Sequence, residues 1–377
     1  MRARLGDLIT PAKVIRCEDG SYPVLSMTMH DGIVLQSERF KKSLASADQS
    51  NYKVVKRGQL VVGFPIDEGV LYIQDAVDEG IMSPAYAVWD VDDRKVNRKY
   101  LELALHSDSA MQYYGSKLRG TTARRRSIPA NELLALEFLL PSMQVQEQAV
   151  KALGKVNRLI SLRKQQLAKL DELVKARFVE LFGATSADKC SKRIKDYAEV
   201  LGGYAFKSEL FCSNAVPVIR ISNINNGCVE LDYHICFDEL FWAQNKRFRA
   251  EQNDILMAMS GATTGKAGIY REDIPALINQ RVACIRAKEG IAYPTFLFVA
   301  TQLEWMYDLI QETSAGCAQP NISGKQIEKM PVPDATYEQQ QQFAAFVEQT
   351  DKSKLTVQQS LDKLELLKKS LMQQYFG

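Results

Sequence analysis

Gln165-x-Leu167-x-Lys169-Leu170-x-x-Leu173-x-Lys175, followed by Phe182-Gly183, returns at the C-terminus as Gln359-x-Leu361-x-Lys363-Leu364-x-x-Leu367-x-Lys369, followed by Phe376-Gly377. Each matched pair is 194 residues apart, about half of the 377-residue chain. A period of that size means two tandem units, each a body followed by a long helix, and two different bodies on similar helices suggest a device that reads two things at a fixed distance. Upstream anchors keep the same order. Arg4-Leu5-Gly6-Asp7 aligns with Arg193-Ile194-Lys195-Asp196, Pro23-Val24-Leu25 with Pro217-Val218-Ile219, and Gly58-Gln59-Leu60-Val61 with Asn253-Asp254-Ile255-Leu256. Gly120-Thr121-Thr122-Ala123 stands where Gly316-Cys317-Ala318-Gln319 stands, and Leu140-Pro141 and Val332-Pro333 precede the two helices.

The first helix is legible in detail. Pro141 suits the position before a helix and Ser142 is a candidate N-cap. No proline follows before Leu181, and Gly183 is a natural terminator. Leu153, Ile160, Leu167, Val174 and Leu181 recur every seven residues, and Val156, Leu159, Leu170 and Leu173 widen the stripe. This is a coiled-coil period, which requires a helical partner. The second helix carries Val357, Leu361, Leu364, Leu367 and Leu371 on one stripe. It is the simplest partner for the first, because separate helices would leave both stripes exposed.

These features divide the chain into a body at 1–140, a helix at 141–183, a second body at 184–333 and a second helix at 334–377. Each body is long enough to bury a core of its own. Short β-branched runs such as Tyr52-Lys53-Val54-Val55 and Leu60-Val61-Val62 predict strands, as do 216–222, 254–259 and 282–286. Residues 97–115 and 293–312 each predict a helix. The fold class is α+β, with two mixed bodies in tandem.

Composition is that of an ordinary soluble protein, 46% hydrophobic and 25% charged. No run approaches the ~18 apolar residues of a membrane helix, and the N-terminus meets Asp7 before any apolar core develops, unlike a signal peptide. Seven irregularly spaced cysteines without a C-x-x-C pair predict reduced thiols and a cytoplasmic location. The net charge of +3 does not by itself indicate a nucleic-acid partner.

Catalytic constellations are missing from the pattern. The histidines His30, His106 and His234 form no metal-ligand pairing. Gly261-Ala-Thr-Thr-Gly265-Lys266-Ala267 is one residue short of a phosphate loop, and Ala267 stands where a magnesium-binding hydroxyl is needed. Asp93-Arg94-Lys95 is the single acid-x-lysine triplet of nuclease type, and neither a glycine-rich cofactor fingerprint after a strand nor an amino-methyltransferase tetrad occurs.

What remains is a set of polar, glycine-bearing loops. Arg119-Gly120-Thr121-Thr122-Ala123-Arg124-Arg125-Arg126 has four arginines and no acid, which suits phosphate oxygens and the guanine edge. Arg220, Ser222 and Asn223 follow a predicted strand with groups able to bond bases. Ser260, Thr263, Thr264 and Lys266 combine hydroxyls and a cation with close backbone approach, and Asn279, Gln280 and Arg281 offer amide and guanidinium forks. Lys246-Arg247-Phe248-Arg249, near Phe241 and Trp242, reads as a surface helix over buried aromatics.

With these motifs in view, the layout resembles the specificity (S) subunit of type I restriction-modification systems over the whole chain. The resemblance rests on Pro217–Ile224, on 254–266, on Gln319-Pro320-Asn321-Ile322-Ser323, on Gly120-Thr121-Thr122 with its arginines, and on a proline followed by Gln146-Glu147-Gln148 or Glu338-Gln339-Gln340 at each helix start. It implies two target recognition domains, each reading half of a split asymmetric DNA site, on helices that pair as an antiparallel coiled coil with pseudo-twofold symmetry and set the spacer. It adds Gln319 and Asn321 to the DNA-binding candidates. It implies no catalysis and no cofactor in this chain. S-adenosylmethionine, ATP and magnesium belong to partners, two modification subunits and two restriction subunits, that act on double-stranded DNA. Residues 51–86 show no sequence counterpart to 260–266, so the two half-sites are expected to differ. The alternative is a scaffold whose two bodies bind proteins across a coiled-coil spacer. A stand-alone methyltransferase is disfavoured by the missing tetrad.

Overall fold

The computed structural model describes residues 1–18, 22–29, 31–39, 49–118, 126–225, 227–314 and 319–377. The chain forms two compact units, Met1–Arg163 with Ser360–Gly377, and Lys164–Gln359. Each unit therefore holds one body, the start of its own long helix and the end of the other.

The first unit is built on a sheet in the order Ile9–Pro11, Ala87–Val91, Leu60–Val62, Leu71–Ile73, all pairs antiparallel. Separate hairpins pair Leu25–Met27 with Ile33–Leu35 and Lys53–Lys56 with Glu79–Met82. In the second unit, Ala198–Gly202, Val282–Ala287, Ile255–Ala258 and Ala267–Ile269 follow the same order, extended by Cys228–Val229 and Ile224–Asn225. A second sheet there orders Cys236–Phe237, Val216–Ile219, Ala276–Ile278 and Arg249–Ala250. Each unit closes with a short antiparallel pair at the helix root, Arg2–Arg4 with Glu137–Leu139 and Lys192–Arg193 with Pro331–Val332. The sequence repeat is thus a repeat of topology.

Each single helix expected over 97–115 and 293–312 is two: Arg98–Leu105 and Asp108–Lys117, then Pro294–Thr301 and Glu304–Ser314. The first break is local chemistry. Ser107 leaves the helical region and its hydroxyl accepts from Ala110 N, starting a new helix. Ser107-Asp108 is an N-cap followed by a first-turn acid, a signal the apolar spacing had masked.

The long helices span Met143–Phe182 and Tyr337–Phe376. Ser142 O accepts from Gln146 N (3.0 Å), and Gly183, at φ +63°, ends the first by donating to Val179 O (2.8 Å). In the first unit Ala149, Leu153 and Phe376 enter one core with Leu60, Trp89, Tyr100 and Leu101. In the second, Val174 and Phe178 enter a core with Phe296, Met306, Ile310, Phe343 and Val347. Within this unit the two helix segments run in opposite directions, since Asp171 pairs with Lys354 (2.6 Å) while Phe178, farther along, meets the earlier Phe343 (ring centroids 5.3 Å).

The expected seam needs correction at Leu181, and the wider stripe at Leu159 and Leu173. Leu153, Val174, Val357 and Leu361 are buried, and Ile160, Leu167, Leu364 and Leu371 are half-buried, but Leu181 is 39% exposed. Leu159, Leu173 and Leu367 are exposed as well. Within the second unit Phe178, one turn on from the buried Val174, takes the buried place.

Candidate nucleic-acid interface

Residues 259–266 join the strands Ile255–Ala258 and Ala267–Ile269 through a short 3-10 turn, Gly261–Thr263. The turn needs its glycines: Gly265 sits at φ +87°, and a Cβ there would come within 2.8 Å of Ile310 Cγ2. Thr264 is buried, its hydroxyl donating to Gly261 O (2.7 Å), also 3.2 Å from Pro320 O. Backbone bonds sew this loop to two others. Gly261 N donates to Pro320 O (3.0 Å), Ile322 N to Met259 O (2.9 Å), and Met259 N to Arg281 O (2.9 Å). Gln280 N donates to Tyr204 O (2.8 Å), which Gly203 permits by its close approach to Asn279 O.

The result is an open groove of about 700 Å³ lined by Ser260, Gln280, Arg281, Gln319 and Asn321, among others. Five candidates from three distant stretches thus share one surface. Gln280, Arg281, Gln319 and Asn321 are exposed, and among the described residues Ser260 Oγ and Thr263 Oγ1 are buried without a hydrogen-bond partner. One exposed guanidinium and three exposed amides make a surface suited to base edges and phosphates, and among the described residues its lining holds no acid, histidine or cysteine. No cluster of potential metal ligands occurs among the described residues.

Other candidates are occupied elsewhere. Asn223 is buried, its Oδ1 accepting from Arg220 N (2.9 Å) and its Nδ2 donating to Glu230 O (2.8 Å), so both ends are used in shaping its turn. Arg220 is held by Asp232 (3.2 Å). Asn279 Oδ1 accepts from Arg281 N (3.3 Å) and braces the loop. Thr264 serves the loop interior. Ser222 and Lys266 are exposed, outside the groove lining. Arg126 is ion-paired with Asp67 (2.7 Å) and Glu68 (3.1 Å), which offsets its attraction for phosphate. Arg119, Thr121, Thr122, Arg124 and Arg125 lie outside the described residues. The basic stretch at 246–249 caps an aromatic cluster of Phe206, Phe237 and Phe241, with the Arg249 guanidinium 4.0 Å from the Trp242 ring centroid.

The first unit has a counterpart to this loop, contrary to the expectation from 51–86. Residues 63–70 join Leu60–Val62 to Leu71–Ile73, with a 3-10 turn at Ile66–Glu68 and a left-handed glycine, Gly69, at φ +78°. Ile66 N donates to Arg126 O (3.5 Å), as Gly261 N does to Pro320 O. Sequence comparison missed it because the turn is kept while the side chains change: Asp67 and Glu68 stand where the second unit has Ala262 and Thr263.

Residues 188–366 match the family of type I restriction modification DNA specificity domains. The MjaVIII specificity subunit of Methanocaldococcus jannaschii is 22% identical over 98% of this chain and 90% of its own length. The EcoBI specificity subunit of Escherichia coli is 29% identical over 43% of this chain and 35% of its own. Two solved structures share the fold over the full chain at 15% identity. One, described as showing complex assembly and conformational transition of the type I R-M system, has a TM-score of 0.60; the other, the type I restriction-modification S subunit from M. genitalium, has 0.54. The second body and most of the second long helix thus match the type I restriction modification DNA specificity domain, and the chain over nearly its full length is similar to a type I restriction enzyme specificity subunit.

Proposed function

We propose that this chain is the DNA-reading subunit of a type I restriction-modification complex, each body recognising one half of a bipartite, asymmetric site. The observation that carries this reading is the repeated loop: one strand order in both units holds a glycine-bearing loop with a 3-10 turn at the same place, with Asp67 and Glu68 on the turn in one body and Ala262 and Thr263 in the other. A shared frame with different side chains suits two readers of different base sequences. The long helices set the spacer by pairing as an antiparallel coiled coil and dock two modification subunits, with two restriction subunits in the full complex. Methyl transfer, ATP-driven translocation and cleavage, with their S-adenosylmethionine, ATP and magnesium, reside in those partners.

The test is exchange of residues 184–333 for the matching body of a relative, followed by mapping of methylated sites in cells that supply the modification subunits. One half of the recognised sequence should change. Change in both halves or in neither defeats the two-reader reading. A protein-binding scaffold would confer no sequence preference on the complex.

A further inference from the structure

Gln146 and Gln340 are the fourth residues of the two long helices, 194 positions apart, and they are 1% and 0% exposed. Gln146 Oε1 accepts from Asn97 N (2.9 Å) while its Nε2 donates to Pro141 O (2.9 Å). Gln340 Oε1 accepts from Tyr293 N (2.8 Å) while its Nε2 donates to Ala335 O (3.0 Å) and Ile291 O (3.2 Å). Asn97 and Tyr293 are the N-caps of Arg98–Leu105 and Pro294–Thr301. Each glutamine therefore ties the lead-in of its own long helix, through Nε2, to the N-cap of a helix in its own body, through Oε1. The same four-part arrangement is built twice from otherwise divergent side chains.

The neighbours at each helix root are apolar: Ala149 and Leu153 in one unit, Phe343 and Val347 in the other. Apolar packing is non-directional and tolerates sliding. A buried amide whose donor and acceptor are both satisfied is directional, and a shift of the body would leave a polar group unpaired. We propose that Gln146 and Gln340 are positioning residues: they fix the direction in which each body leaves its long helix, and so the spacing of half-sites the protein accepts. This rests on the proposed half-site reading.

The experiment uses the full chain assembled with its modification subunits. Methylation rates are measured on duplexes with the preferred spacer and with spacers one base pair shorter and longer. Gln146→Met and Gln340→Met, each alone, keep the volume and remove the amide. Preference for the correct spacer should fall about tenfold, the order of one hydrogen bond's net contribution, with base preference inside each half-site unchanged. An unchanged spacer preference in a folded variant overturns the proposal, as does a uniform loss of rate on all spacers. If Gln146→Met does not fold, Gln146→Glu, which keeps an acceptor for Asn97 N, is judged by the same ratio. A parent complex with no preferred spacer defeats the half-site reading, and this inference with it. A parent preference kept by the variants defeats this inference alone.

Discussion

Arg281 and Arg286 are five residues apart and have different surroundings. Arg281 is exposed in the groove with Gln280, Gln319 and Asn321. Its replacement by Ala should weaken specific binding by about 1–3 kcal/mol and relax base preference in the second half-site only. Titration of labelled duplexes altered in one half-site at a time checks this. Arg286 faces inward, bonded in parallel to the two oxygens of buried Asp254 (2.9 and 2.7 Å) and to Glu251 (2.8 Å). Arg286→Met strands the Asp254 carboxylate, and chemical denaturation should show a loss of about 3–5 kcal/mol. Glu102 gives a pH signature. Burial pushes its carboxyl above the ordinary range, against the opposing bond from Ile73 N (2.7 Å). With the folded value raised, its contribution is present below the unfolded value and is lost as pH rises through the folded one. Glu102→Gln keeps an acceptor for Ile73 N. Thermal melts should show the variant more stable than the parent at neutral pH and equal to it in acid, and a constant difference across pH would refute this.

The long helices separate what a heptad count predicts from what packing selects. Phe178 lies among Phe182, Phe296 and Phe343 at centroid distances of 4.9–5.3 Å, whereas Leu181 is exposed. Phe178→Ala should cost about 3–5 kcal/mol as a core truncation, and Leu181→Ala should stay within about 0.5 kcal/mol as a surface change. Urea titration of the isolated chain measures both. Equal losses would restore the strict seven-residue seam.

In the whole molecule, the proposed spacer role predicts what lengthening does. One heptad added to each long helix keeps the apolar phase and adds about 10 Å to each. That is about three base pairs of DNA at 3.4 Å per step, with a rotation of about 100° for a turn of about ten base pairs. Methylation-site mapping should show sharp loss of the original site and partial recovery on a spacer longer by a few base pairs. Retention of the original spacer would mean that the helices do not set it. Four added residues instead break the phase and should destabilise the fold.

The duplication, the two long helices, their terminators and most strand positions were legible in the chain, because these depend on local order: apolar period, proline and glycine placement, and a repeat shared by both halves. Five groove residues were also legible by type, from the polar groups beside glycines and strand ends. Which of them share a surface was decided by tertiary structure, since backbone bonds among 259–261, 279–281 and 319–322 join segments distant in sequence. The same folding turned Asn223 and Thr264 inward and gave Arg126 its acidic partners. It also produced the loop at 63–70, whose likeness lies in backbone geometry, and gave the two glutamines, legible as a repeat, their matching partners. A residue's type states what it can bond, and only the folded chain decides whether that capacity is used inside the molecule or left for another.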